Sequence, residues 1–208
     1  KFKNKSTFDY IIPIGDLGLL FRSESSITKS KNKPFLKPDN NRIEDFKNKF
    51  SRLKGKKKIG ISWHTTNPKN GFKRNIELTK LLSIFKNIDV DIISLQYNED
   101  MNEINIAQKE NNIQVNVFPE LDKFKDIDGL AALINSCDEV ITIDNTTTHL
   151  AGALGVKTSL LIPFLADWRW GLNEINSVWY PSVNIYRKQI HHSWINVLSK
   201  LKLNLFTE

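Results

Sequence analysis

The residues best suited to chemistry lie in one stretch, Val140 to Gly155, which reads VITIDNTTTHLAGALG. Val140, Ile141 and Ile143 are apolar and β-branched, as a buried parallel strand requires. Asp144 and Asn145 stop that strand. Thr146, Thr147 and Thr148 suit the cap of a following helix. Leu150, Ala151, Ala153 and Leu154 give the helix an apolar face, and Gly155 ends it. A strand turning tightly into a helix leaves unpaired backbone N–H groups at the carboxyl edge of a sheet. Open α/β domains bind anions there, phosphates above all. His149 falls about one turn into the helix, within reach of a ligand at its mouth. A satisfied core histidine is the other reading of that position. A carboxylate repels phosphate, so Asp144 suits the hydroxyls of a sugar beside it. A helix cap is the alternative role.

Two further groups of residues follow predicted strands. The loop 64–74 carries His64, Thr65, Thr66, Asn67, Lys69, Lys73 and Arg74. Hydroxyls with a guanidinium suit a diphosphate, although a solvated polar loop looks the same. The stretch Pro163 to Trp179 combines Trp168, Trp170 and Trp179 with Asp167, Arg169 and Asn173. It fits either a surface that packs a sugar or base, or a lid of buried aromatics. No strand is followed by G-x-G-x-x-G, and G-x-x-x-x-G-K-[ST] is absent. That argues against a standard NAD-binding domain and a P-loop ATPase. No metal-ligand spacing occurs. His191-His192 are adjacent, point apart in regular structure, and fit the start of a surface helix.

These groups require a frame of alternating strands and helices. Hydrophobic periodicity predicts strands at 58–63, 90–95, 113–118, 139–143 and 158–162, and helices at about 40–53, 76–86, 101–111, 127–135, 147–154 and 193–203. Such alternation means a parallel sheet with right-handed crossovers and ligands beyond the carboxyl ends of its strands. The loops to inspect are 64–74, 96–100, 119–126, 144–147 and 163–171. Residues 1–40 are irregular: an apolar run from Phe8 through Leu17, Leu19, Leu20 and Phe21 is broken by Pro13, Gly15 and Gly18. A polar stretch follows, then an extended connector at 34–38. At 208 residues with 40% hydrophobic side chains and five Trp, the chain can build a full core. The one cysteine, Cys137, excludes an internal disulfide. No apolar run approaches a membrane span. A net charge of +7 suits anionic partners, and equally a surface of solvated lysines. No RNA-recognition or zinc-finger motif appears, and nucleic acid is not an expected partner.

The chain resembles one family in Gly60-Ile61-Ser62-Trp63, Arg74-Asn75-Ile76, Ser94-Leu95-Gln96, Ala131-Ala132-Leu133-Ile134, Asp144 to Gly155, Leu161-Ile162-Pro163-Phe164, Asp167-Trp168-Arg169-Trp170, Trp179-Tyr180-Pro181-Ser182 and Tyr186-Arg187. It looks like the carboxyl-terminal part of bacterial tetratricopeptide-repeat glycosyltransferases. These are similar to the heptosyltransferases and, more distantly, to O-GlcNAc transferase. The match runs from about Tyr10 to Arg187. The Asp-x-x-x-x-His turn and the D-W-R-W box are specific in combination. Heptosyltransferases usually have Thr-Gly where this chain has Asn145-Thr146, and commonly Lys at Arg74.

The resemblance implies an α/β chain with a Rossmann-like parallel sheet flanked by helices, the donor-binding (C-terminal) half of a GT-B glycosyltransferase. Residues 1–40 would be the connector to the amino-terminal half, and 41–208 the nucleotide-sugar-binding domain. The backbone at Asn145, Thr146 and Thr147 and the side chain of His149 would hold the diphosphate. Asp144 would hold the sugar, and Thr65, Thr66 and Arg74 would approach the phosphates from the facing loop. Gln96 would lie near the ribose or base, and Asp167 and Arg169 complete the expected substrate-binding set. The implied reaction is inverting transfer with no metal and no cofactor, its general base supplied by the amino-terminal domain. The acceptor, a glycan, a lipid-linked sugar or a protein, would bind through that domain. This chain alone is expected to bind donor weakly and transfer little. A cytoplasmic location is expected, with or without peripheral attachment to the inner membrane. A non-catalytic scaffold and a nucleotide-sugar epimerase remain open on the same fold.

Overall fold

Strands alternate with helices from Lys57 onward, and each βαβ step returns the chain to the same sheet. The structure, a computed structural model, describes residues 10–13, 16, 33–69 and 71–205. The six strands are β1 (Lys57–Ser62), β2 (Val90–Ser94), β3 (Val115–Asn116), β4 (Glu139–Ile143), β5 (Thr158–Ile162) and β6 (Val183–Arg187). All pairs are parallel, in the order β3-β2-β1-β4-β5-β6. The chain winds outward from β1 through β2 to β3, then returns to lay β4 on the other side of β1. The order reverses between β1 and β4, which opens a crevice at their carboxyl ends.

Both faces of the sheet are covered, which explains why its strands are apolar almost without alternation. Helices α1 (Asn40–Phe50), α5 (Ile127–Asn135) and α6 (Thr146–Leu154) pack on one face, around Ile93, Leu95 and Val140. The turn α2 (Gly71–Arg74) lies in the loop after β1, and α3 (Leu78–Leu82), α4 (Met101–Asn111) and α7 (Trp194–Leu205) lie on the other face. Of these, α3, α4 and α7 pack with Ile59, Ile61 and Trp63. Burial of each such large apolar side chain contributes roughly 1.5–3 kcal/mol. Helix starts are set by local carboxylates: Asp39, Asp100 and Asp126 each accept from backbone N–H groups in the first turn. Arg42 Nη1 donates to Asp126 Oδ1 at 2.8 Å and braces α1 against α5.

Several elements differ from the sequence reading. The strand expected at 113–118 shrinks to Val115–Asn116, because side chains replace its ladder. Gln108 Oε1 accepts from Val115 N at 2.7 Å, and Asn116 Nδ2 donates to Ile92 O at 3.0 Å. The helix expected at 76–86 starts at Leu78 and tightens into a 3₁₀ turn, Ser83–Phe85, since Ile76 N is held by Trp63 O at 3.0 Å. The loop 64–74 contains α2. Strand β6 was not anticipated; it lies at the sheet edge with Val183 and Ile185 facing inward and the polar Asn184 between them.

The chain divides into two compact units, 1–33 and 34–208. In the first, Tyr10 to Pro13 and Asp16 are exposed, and Asp16 N donates to Pro13 O at 2.9 Å. Phe8, Ile14, Leu17, Leu19, Leu20 and Phe21 lie outside the described residues, as do the polar residues 23–32. In the second, 34–38 has no regular structure, as expected of a connector, and Phe35 N donates to Ala153 O at 3.0 Å. No helix among the described residues is long and apolar enough to cross a membrane.

Gly60 marks where β1 is most closely covered. A Cβ there would stand 2.5 Å from Leu95 Cδ1 and 3.2 Å from Cys137 Sγ, and Leu95 is fully buried. Gly60→Ala is expected to destabilise the fold by about 1–3 kcal/mol, read as a lower urea midpoint with an unchanged m-value.

Candidate functional site

Three strand ends meet at the crevice through one polar network. Gln96, just past β2, is buried. Its Oε1 accepts from Ser62 Oγ (3.1 Å), Trp63 N (3.1 Å) and His64 N (3.0 Å). Its Nε2 donates to His64 O (3.0 Å) and Tyr97 O (2.7 Å). Ser62 Oγ in turn accepts from Asn145 Nδ2 at 2.8 Å, and Thr142 Oγ1 donates to Asn145 Oδ1 at 3.2 Å. Gln96 therefore sits at the expected sheet edge with its amide spent on protein partners. The sequence reading missed Ser62, whose hydroxyl joins β1 to both neighbours.

The same network starts α6. Asn145 is extended, at φ −149° and ψ −174°, and its Oδ1 accepts from Thr147 N at 3.0 Å. Asn145 is thus the cap, in place of the expected threonines. Thr148 is unavailable because its hydroxyl turns back to Ile143 O at 2.6 Å. Thr147 and Thr148 are buried, whereas Thr146 stands exposed at the first helical position. Asp144 does not cap the helix.

Asp144 is 4% exposed and faces Arg74 across the crevice. Arg74 Nη1 donates to the Asp144 carbonyl at 3.1 Å and lies 3.1 Å from its Oδ2. The carboxylate therefore has a charge partner, yet among the described residues Oδ2 accepts no hydrogen bond and is buried. Arg74 reaches this place because α2 ends on it and the preceding loop is pinned. Thr65 N donates to Asn75 Oδ1 at 2.8 Å. Tyr97 OH donates to Thr65 Oγ1 at 3.1 Å and accepts from Thr66 N at 3.1 Å. The structure brings Arg74 and Asp144 into contact, and ties Thr65 and Thr66 to Tyr97.

His149 is half-buried in an aromatic wall. Its ring stacks on Trp170 (centroids 5.3 Å, 23°) and meets Tyr180 edge-on (5.8 Å, 65°). Nδ1 lies 3.1 Å from Tyr180 OH. Burial pushes the imidazole pKa down; Asp144 and Asp167 oppose that pull, while Arg169 adds to it. Burial also pushes the Tyr180 phenol up.

Asp167 and Arg169 are used on each other: Nη1 to Oδ1 is 2.6 Å, with the guanidinium 4.9 Å over the Trp168 ring. Arg187 supports this segment, donating to Phe164 O (3.1 Å), Trp170 O (2.9 Å) and Gly171 O (2.9 Å). Tyr180, Arg187, Asn75 and Tyr97 were not among the expected site residues. Tyr180, Arg187 and Asn75 do stand within the segments that carry the family resemblance, and that was the available signal.

A hollow of about 530 Å³ beside Glu139, Ser159 and Asn184 lies away from this edge. Its buried carboxylate, Glu139, is already satisfied by Ser159 Oγ at 3.0 Å and Lys157 at 3.3 Å. Asp144 is not, which favours the crevice as the site. Among the described residues no three His, Cys, Asp or Glu side chains gather as a metal site.

Two outcomes follow from this geometry. Gln96→Leu strands the Trp63 and His64 amides, at about 1–3 kcal/mol for each buried donor, and is expected to lower the urea midpoint sharply. His149 resists protonation when folded, whereas the unfolded chain takes up its proton near pH 6.5. The unfolded state then binds more protons as pH falls, so stability falls too. Between pH 7.5 and 5.5 the wild type is expected to lose more thermal stability than His149→Gln.

No protein-family model matches the chain. Protein FlbA of Caulobacter vibrioides is 29% identical over 199 residues, 92% of this chain and 32% of that protein. The chain thus spans about a third of the length of this curated relative. Among solved structures, E. coli ADP-heptose lps heptosyltransferase II superposes with a TM-score of 0.57 at 15% identity, over 83% of this chain and 54% of that one. A glycosyl transferase family 9 protein from Veillonella parvula gives a TM-score of 0.55 at 14% identity, over 74% and 42%. The open, all-parallel sheet flanked by helices is therefore the fold of the heptosyltransferases and other GT-B glycosyltransferases.

Proposed function

We propose that this chain is the nucleotide-sugar-binding half of an inverting, metal-independent glycosyltransferase. The observation that carries the reading is Asp144: a buried carboxylate oxygen without a hydrogen bond among the described residues, beside a guanidinium, at the N-terminus of α6. A sugar hydroxyl donates to the Asp144 carboxylate. The donor diphosphate lies at the helix N-terminus, where the backbone N–H of Thr146 and the Arg74 fork meet its oxygens. His149 and the hydroxyls of Thr65 and Thr66 flank it. Asp167 and Arg169 border the sugar side, and Gln96 holds the strand ends in place.

In the transfer, an acceptor oxygen forms a bond to the anomeric carbon as the bond from that carbon to the diphosphate breaks. The electron pair leaves on the diphosphate, and the acceptor proton passes to a base. Charge grows on the leaving oxygens, so the residues at α6 act electrostatically: helix dipole, Arg74 and His149 stabilise it. No resident cofactor is needed. We further propose that residues 41–208 form the donor domain and 1–40 the connector. The base and the acceptor site belong to another half of the molecule, with tetratricopeptide repeats as in the O-GlcNAc-transferase-like proteins. The fold shared with an enzyme named for ADP-heptose supports a nucleoside-diphosphate donor.

Calorimetry of the chain with UDP, GDP, ADP and CMP tests this. One diphosphate is expected to bind best, about tenfold or more weaker in Arg74→Ala, the worth of a charge-assisted hydrogen bond. No binding to the folded chain or to the full-length protein would leave the fold as a scaffold.

A further inference from the structure

His149 and Gly152 are three residues apart, so they share one face of α6. Tyr180 lies along that face. A Cβ at Gly152 would stand 2.4 Å from Tyr180 Cγ, so the ring rests against bare helix backbone there. Its hydroxyl ends 3.1 Å from Nδ1 of His149. The Tyr180 backbone is held on both sides: its N–H donates to Ser177 Oγ at 3.2 Å, and its carbonyl accepts from Val183 N at 3.0 Å. Trp170 stacks on the imidazole, and its ring lies 6.5 Å from that of Tyr180. The hydroxyl and the ring nitrogen are therefore fixed opposite each other, and Nε2 has no hydrogen-bond partner among the described residues.

Two proton arrangements fit this pair, O–H to Nδ1 or Nδ1–H to O. Chemistry separates them. A phenol is a far stronger acid than a neutral imidazole N–H, and an imidazole nitrogen is a far better acceptor than a phenol oxygen. We propose that Tyr180 is a positioning residue: its hydroxyl donates to Nδ1 and holds His149 in the tautomer with its proton on Nε2. The groups around the ring agree. Burial keeps the phenol protonated and the imidazole neutral, and it outweighs the carboxylates of Asp144 and Asp167, with Arg169 on the same side as burial.

This deepens the donor-site reading and rests on it for its function, though the tautomer is a property of the chain itself. A neutral ring with Nε2–H offers a donor to a phosphate oxygen. The other tautomer offers that oxygen a lone pair and repels it. Without the hydroxyl, the two forms mix and part of the population faces the ligand wrongly.

The test is long-range ¹H–¹⁵N correlation of the ¹⁵N-labelled chain at pH 7.5, with His149 assigned by its loss in His149→Gln. The wild type is expected to show Nδ1 pyridine-like and Nε2 pyrrole-like, and Tyr180→Phe to show an averaged pair. The phenylalanine ring still fills the space against Gly152, and circular dichroism checks that the variant folds. A wild-type proton on Nδ1, or an unaltered tautomer in Tyr180→Phe, overturns the proposal. The first of these needs no variant. Tyr180→Phe is also expected to bind the preferred nucleoside diphosphate about three- to tenfold more weakly, the worth of one neutral hydrogen bond. A wild type that binds no nucleotide defeats the donor-site reading, while the spectrum still decides the role of Tyr180.

Discussion

The hydroxyl of Ser62 holds the site together. It donates to Gln96 Oε1 and accepts from Asn145 Nδ2, so the carboxyl ends of β1, β2 and β4 share one buried chain of hydrogen bonds. Such a network is costly if any member is lost, since each orphaned group keeps its full desolvation penalty. It rigidifies when complete. Asn145 carries the constraint outward, because its other amide atom caps α6 and fixes where that helix starts. The positions of Asp144, one residue before the cap, and His149, one turn beyond it, follow from that.

A buried ion pair is a poor source of stability, since desolvation cancels most of the Coulombic gain. Arg74 and Asp144 are a weak pair even by that measure, because Oδ2 is left without a hydrogen bond among the described residues. Packing alone gives no reason to keep a carboxylate there. The sugar hydroxyl of the proposed donor supplies one. The guanidinium has hydrogens beyond Nη1 with which to meet an anion, so one residue can neutralise Asp144 and still serve a phosphate.

The aromatic segment between β5 and β6 has a different task. Arg187 donates to three backbone carbonyls in it, and the Trp179 indole donates to a fourth, Arg169 O, at 3.1 Å. These bonds make a stiff wall from a segment whose only helix among the described residues is one 3₁₀ turn, Trp168–Trp170. Trp170 and Tyr180 project from that wall onto His149. The imidazole on α6 is therefore gripped by two rings from the segment that follows β5.

Local information was sufficient where one element decides its own form. Periodicity placed α4 at Met101–Asn111 and α5 at Ile127–Asn135, and the apolar run Thr158–Ile162 placed β5. The turn after β4 was legible too, since an apolar strand, polar stop and small-residue helix are contiguous in sequence. Asp144, Asn145 and His149 could be singled out, but not what each would do. Asn145 was chosen as cap over the threonines by Ser62, a partner 83 residues away. Gln96 became a brace because the backbone of 63–64 approaches it from 32–33 residues earlier. Strand β6 is half polar and becomes a strand by pairing with β5. Composition and spacing determined the layers and the carboxyl edge of the sheet at which the proposed site lies. Only the tertiary structure decided which polar atoms are spent on the protein and which remain for a ligand, because hydrogen bonds between distant strands depend on where the sheet brings them.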